Sequence, residues 1–169
     1  MKKLLFVLLM SGIVATGFSQ QKIKLGHLNS NDLLEAMPEK AKAQKSLQDY
    51  SKQLEDQLVA MQDELEKKYN EYLEKKDTYT DLIKKNKEEE LTSLQQRIQT
   101  FQSNAQQDLQ KKEQELLKPI IDKAKKAIED VSKENGYTYI FDSGTGSLLY
   151  YPKDSDDILP LVKKKLGIN

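Results

Sequence analysis

Apolar residues recur at a helical rhythm through the first half of the chain: Leu47, Tyr50, Leu54, Leu58, Met61, Leu65, Tyr69 and Tyr72 are spaced 3, 4, 4, 3, 4, 4 and 3 positions apart. This is an 11-residue repeat of about 3.67 residues per turn, close to a straight helix and leaning right-handed. Glu64 with Lys68 and Glu71 with Lys75 stand four positions apart on the polar side, where opposite charges support a helix. One narrow apolar stripe has to pack on another helix. Leu91, Leu94, Ile98, Phe101 and Ala105 provide a matching stripe, and after a glutamine-rich break from Gln106 to Gln114 the pattern resumes at Leu116, Ile120, Ala124, Ala127 and Val131. Between the halves, Asp77, Thr78, Thr80, Asp81 and Asn86 weaken helix propensity. An antiparallel helical hairpin with its tip near 77–90 is therefore expected; one continuous helix is the competing reading.

Breakers divide the rest. Glycine and proline are absent from Glu39 to Lys118, whereas Gly26 and Pro38 precede that run and Pro119, Gly136, Gly144, Gly146, Pro152, Pro160 and Gly167 follow it. The expected organisation is a coiled-coil arm over 39–118 and a small β-containing body from 20–38 plus 119–169, an α+β fold. In the body, "KIKLGHLNS" alternates as a strand with Ile23, Leu25 and His27 on one face. "NDLLEAMPE" follows as a helix capped by Asn31 or Asp32, with Glu35 completing a capping box on Asp32. "GYTYIFD" alternates again, placing Tyr137, Tyr139 and Phe141 together; "SGTG" reads as a turn and Leu148 to Tyr151 as the return strand of a β-hairpin. A short helix from Asp154 or Asp157 to Leu166 closes the chain, with Pro160 tolerated if it falls in the first turn.

The start of the chain sets the compartment. Lys2 and Lys3 precede the apolar run Leu4 to Ala15, and Gly17 and Ser19 occupy the −3 and −1 positions for cleavage before Gln20. This has the form of a secretory signal over 1–19, too short for the roughly 20 residues of a membrane span. The chain carries 27 basic and 27 acidic residues; without Lys2 and Lys3 the balance is 25 against 27, a net charge of −2. That balance gives no electrostatic reason to expect nucleic acid as a partner.

Catalytic chemistry finds little support. There is no cysteine and only one histidine, His27, so neither a thiol nucleophile nor a transition-metal site is expected. Gly144-Thr145-Gly146 lacks the third glycine of a dinucleotide loop and the Lys-Ser/Thr of a phosphate loop. No enzyme and no cofactor are expected. A body this small, without disulfides or metal, is commonly completed by oligomerisation, and it carries more aromatic side chains than one short sheet needs. Ile23, Leu25, Tyr137, Tyr139, Phe141, Leu148 and Tyr150 are the expected interface.

Taken in order, the secretory signal, "KIKLGHLNS", "LLEAMPE", the glycine-free arm, "LLKPIIDKAKKAIEDVSKENGYTYIFD" and "DDILPLVKKKLG" resemble the Skp (OmpH) family of periplasmic chaperones along essentially the whole chain after the signal. The resemblance implies a periplasmic homotrimer in which strands from three subunits form the body. Three helical hairpins would then surround a cavity that holds unfolded outer-membrane proteins without ATP. Such a protein needs dispersed weak contacts, which tyrosine suits because its ring is apolar and its hydroxyl tolerates water; Tyr72, Tyr79 and Phe101 are the candidate client contacts. Contact with the membrane surface would be transient. The best-known members are strongly basic, whereas this chain is slightly acidic, which does not favour electrostatic capture of clients. The alternative function is a structural periplasmic spacer or adaptor.

Overall fold

The computed structural model describes residues 23–168, so the signal and its cleavage site before Gln20 lie outside the described residues. The elements run β1 (Leu25–Leu28), α1 (Ser30–Ala36), α2 (Pro38–Lys75), α3 (Asp81–Glu134), β2 (Tyr139–Asp142) and α4 (Leu159–Leu166). Helices α2 and α3, of 38 and 54 residues, form the antiparallel arm, and the other elements gather at its base.

Local chemistry sets each boundary. The Asn29 side-chain oxygen accepts from the Asn31 and Asp32 backbone N–H groups at 2.9 and 3.4 Å, so α1 begins two to three residues earlier than a cap at Asn31 or Asp32 requires. Asp32 lies instead in the first turn, where its charge suits the helix dipole. Glu35 forms no capping box with it and approaches Lys40 at 3.9 Å. Met37 adopts extended backbone (φ −78°, ψ 120°), the conformation favoured ahead of a proline, and Pro38 starts α2 at a position whose N–H has no helical partner anyway.

The chain reverses through a short 3-10 turn at Lys76–Thr78, and the Thr80 hydroxyl caps α3 by accepting from the Ile83 N–H at 3.4 Å. Only the start of the stretch expected for the tip is non-helical. Residues 81–90 stay helical because Asp81 sits favourably in the first turn and the Lys and Glu residues after it are good helix formers. Pro119 does not interrupt α3 either; its exposed position lets water satisfy the carbonyl left without a partner. Gly136 (φ 68°) ends α3: its N–H donates to Lys133 O and the Tyr137 N–H to Ser132 O, the paired bonds of a left-handed helix stop.

The sheet corrects the hairpin expectation. β2 pairs with β1 in parallel, in register Leu25↔Tyr139, Gly26↔Ile140, His27↔Phe141 and Leu28↔Asp142, so the whole arm is the crossover between two adjacent strands. Leu148–Tyr151 forms no strand in the described residues. On the other side of β1, the His27 N–H donates to Asp156 O and the Ile158 N–H to His27 O, both at 2.9 Å. The two-glycine turn was a local signal; the position beside β2 is taken by β1, which delivers its buried Leu28 to the core.

That core lies under the sheet. Leu28, Leu33, Met37, Ala43, Ile120, Ala124, Ala127, Val131, Ile158 and Val162 form one buried cluster, which joins the base of both arm helices to α1 and α4. Full burial of side chains such as Leu33 and Ile158 is worth about 1.5–3 kcal/mol each. Pro160 falls in the first turn of α4, and Val162 points inward one turn after Ile158.

Candidate functional site

Two surfaces could carry function: the outer face of the sheet and the seam of the arm. Alternation along β1 and β2 puts Leu28 and Ile140 on the core side and leaves Leu25, His27, Tyr139 and Phe141 on the other. Leu25, Tyr139 and Phe141 are exposed, Tyr139 to 60 %. The segment after β2 adds Tyr150, 81 % exposed, and Leu149, 96 % exposed. Leu148 and Tyr150 help line a cleft of about 190 Å³ floored by Gly26 and His27.

Of the expected interface residues, the structure thus gathers Leu25, Tyr139, Phe141, Leu148 and Tyr150 on one side. Ile23 is exposed just ahead of β1. Tyr137 departs from the alternation: it precedes β2 as part of the α3 stop, and its ring packs with Ile140 toward the core. Gly26 permits this, since a Cβ there would lie 2.9 Å from Ile140 and 3.0 Å from Tyr137. Lys24 covers the Tyr137 ring with its ammonium 3.9 Å from the centroid.

A clasp missed by sequence reasoning positions this face. Asp142, at the end of β2, accepts from the Ser30 hydroxyl at 2.6 Å, the Ser30 N–H at 3.1 Å and the Gly144 N–H at 2.8 Å. The Asn31 side-chain amide donates to Gly144 O at 2.9 Å. Burial acts to raise the Asp142 carboxyl, but the three donors outweigh it and hold the group below its ordinary range. The signal available in sequence was only a pair of turn formers, Asp142 and Gly144, without the distant Ser30 that completes the set.

The arm seam is packed in places. Met61, Leu94 and Ile98 are buried, with Leu58, Leu65 and Phe101 against them. Toward the base, level with the glutamine-rich break, an open cleft of about 560 Å³ lies between the helices, lined by Leu54, Leu58, Phe101, Ala105 and Leu109 among others. Toward the tip, polar links take over. The Tyr72 hydroxyl donates to Glu88 at 2.5 Å, and that bond raises the phenol's pKa. Lys68 bridges to Glu90, whose carboxyl is lowered by Lys68 and then Lys87.

The candidate client contacts are therefore placed differently from one another. Phe101 packs on the arm core and borders the open cleft; Tyr72 is tied to the facing helix; Tyr79 is half-buried at the tip, in extended backbone. Leu82, 69 % exposed, and Ile83 stand beside it. Among the described residues no cluster of His, Asp and Glu side chains could hold a metal ion, and no helix is long and apolar enough to cross a membrane.

A family model described as outer membrane protein (OmpH-like) matches residues 24–166, from the residue before β1 to the last residue of α4. None of the curated proteins compared with the chain matches it.

Proposed function

Since the chain belongs to the OmpH-like family, we propose that it is an ATP-independent periplasmic holdase that shelters unfolded outer-membrane proteins between the arms of a homotrimer. Membership in the family supports a chaperone role toward outer-membrane proteins in the periplasm. The observation that carries the finer reading is the incomplete packing of the arm. Beyond the base, only Met61, Leu94 and Ile98 are buried among its described residues, and the open cleft beside Leu54 and Phe101 leaves apolar surface available between the helices. A rod built to set a distance would close that seam. A cage wall that makes many weak apolar contacts needs it partly open, and Phe101 at the cleft edge and Tyr79 at the tip are the contacts favoured by placement.

The sheet face supports assembly of subunits through the body. Leu25, Tyr139 and Phe141 expose an apolar patch on the two-stranded sheet, and Leu148–Tyr151 is a strand-forming run that pairs with no strand among the described residues. In the assembly, that run joins the sheet of a neighbouring subunit. Phe141→Glu is then expected to yield monomers in sedimentation, and an unchanged trimer removes this face from the interface.

The holdase reading is tested by diluting a urea-unfolded outer-membrane barrel protein into buffer with and without the purified protein while following light scattering. Suppressed aggregation without added nucleotide is expected. Equal rates in both arms would falsify the reading. The alternative, a spacer or adaptor, draws on exposed Leu82 and Ile83 as a docking point at the tip; it predicts that Leu82→Ser with Ile83→Ser abolishes function while leaving aggregation suppression intact.

A further inference from the structure

We propose that Asn135 and Gly136 form a site of spontaneous covalent modification that the body keeps closed: when β1 leaves the α3 stop, the Asn135 side chain cyclises onto the Gly136 nitrogen and becomes aspartate or isoaspartate. Asn135 is the only asparagine of the chain that is followed by glycine. That neighbour matters because the attacking group is the backbone nitrogen of the next residue, and glycine has no side chain to shield it or to restrict its rotation. Both residues are exposed, so water reaches them.

The chemistry exchanges one amide for another and needs only water. The Gly136 nitrogen, its proton lost to solvent base, attacks the Asn135 Cγ. The Cγ–N bond forms, the Cγ–Nδ2 bond breaks, and Nδ2 takes a proton from water and leaves as ammonia. The product is a succinimide ring that includes the Asn135 backbone carbonyl. Water then adds to one of the ring carbonyls. Opening at Cγ gives aspartate in an ordinary backbone; opening at the backbone carbonyl gives isoaspartate, in which the chain continues through the former side chain. Nothing is oxidised or reduced.

In the closed body the reacting atoms are turned apart. Ring closure requires the Gly136 nitrogen to eclipse the Asn135 Cβ about the Cα–C bond, whereas the Asn135 ψ of 6° turns it onto the residue's own nitrogen. Each group that would have to move is held. The Asn135 side-chain amide donates to Val131 O at 2.8 Å, and the Gly136 N–H donates to Lys133 O at 3.3 Å. Ahead of β1, Lys24 Nζ donates to Asn135 O at 3.2 Å, while the Thr138 N–H donates to Lys24 O at 2.7 Å. Lys24 thus clamps both ends of the Asn135–Gly136 turn, and rotation about ψ requires that clamp to open. Conversion then runs at a rate set by how often the stop opens.

Closing again over the product is disfavoured. A carboxylate replaces the Asn135 amide, so Val131 O keeps the Asn135 N–H but loses its side-chain donor. The new charge also falls at the carbonyl end of α3, the unfavourable end of the helix dipole for an anion. Isoaspartate adds a methylene to the backbone between α3 and Thr138, which displaces Thr138 from the Lys24 backbone it pairs with. The conversion is a one-way mark on chains whose body has opened.

Peptide mass analysis of the purified full chain, kept at mildly alkaline pH with and without urea, tests this. In urea, Asn135 should convert ahead of every other asparagine, with isoaspartate among the products; without urea it should convert at least ~10-fold more slowly. Variants kept without urea locate the control. Lys24→Ala removes the outer clamp and should speed conversion, whereas Ile98→Ala loosens only the arm and should leave the rate unchanged. Thr138→Val, which removes the acceptor of the Lys24 N–H, carries the comparison if Lys24→Ala unfolds. Asn135 left intact in urea overturns the site. Equal rates with and without urea overturn its closure by the fold, and a clamp variant that converts no faster than wild type, or no faster than Ile98→Ala, overturns the role of Lys24.

Discussion

The base and the arm are built from the same two long helices, yet they bury apolar surface very differently. At the base, α2 and α3 are joined by α1, α4 and the sheet, and ten residues form one buried cluster. Along the arm each helix has only the other, and the buried cluster is Met61, Leu94 and Ile98. Two helices in contact cover one side of each other; a third and fourth element are needed to enclose a side chain completely. The body is therefore the stable anchor, and the arm is a pair of helices held at intervals by packing and elsewhere by single polar links.

The sharpest way to break this contrast is from the base. Leu33→Ala empties a fully buried site and is expected to cost about 3–4 kcal/mol in urea unfolding, enough to uncouple the sheet from the helices. In the arm, Ile98→Ala should cost less, about 2 kcal/mol, because neighbouring water and side chains can enter the space. Its effect should be local: faster amide exchange near Leu58 and Phe101, with the base unchanged. If both substitutions loosen the whole molecule equally, base and arm are one cooperative unit.

The clasp gives a smaller and pH-dependent effect. Asp142→Ala removes three accepted hydrogen bonds and is expected to cost about 1–3 kcal/mol at neutral pH. Because the folded carboxyl is depressed, its contribution is complete above the unfolded value of about 3.9 and fades as pH falls through the lower folded value. The urea midpoint of the wild type should carry this acid component and that of Asp142→Ala should lack it. The smallest change is Glu90→Gln at the exposed Lys68 link, where no shift in the urea midpoint is expected and only the salt dependence of amide exchange near the tip should change.

What could be read from the chain follows its distance scale. The arm was legible because the stripe from Leu47 to Tyr72 and its counterpart from Leu91 to Ala105 are local periodic patterns, and Gly136 and Pro160 act where they stand. The sheet partner was not legible. A two-glycine turn after Phe141 carries the local signature of a hairpin, whereas the pairing of Leu25–Leu28 with Tyr139–Asp142 depends on burying Leu28 and Ile140 together from distant parts of the chain. The cap on α1 failed for a related reason: Asn29, Asn31 and Asp32 can all cap, and the end of β1 at Leu28 decides among them. Within the outer face, Leu25, Tyr139 and Phe141 followed from alternation, but Tyr137 was turned inward by the helix stop that precedes the strand.

The parallel crossover also imposes an order in time. Lys24 and Thr138, which meet beside the sheet, are 114 positions apart, so a chain delivered amino end first exposes β1 long before its partner exists. The arm, whose contacts run outward from its own turn, can fold during that interval; the sheet must wait, as pairings between distant segments do. A fragment that stops anywhere short of Tyr139 cannot build the outer face. In the proposed assembly, the surface on which subunits meet would thus be available only to chains that extend through β2, and shorter ones would be left out.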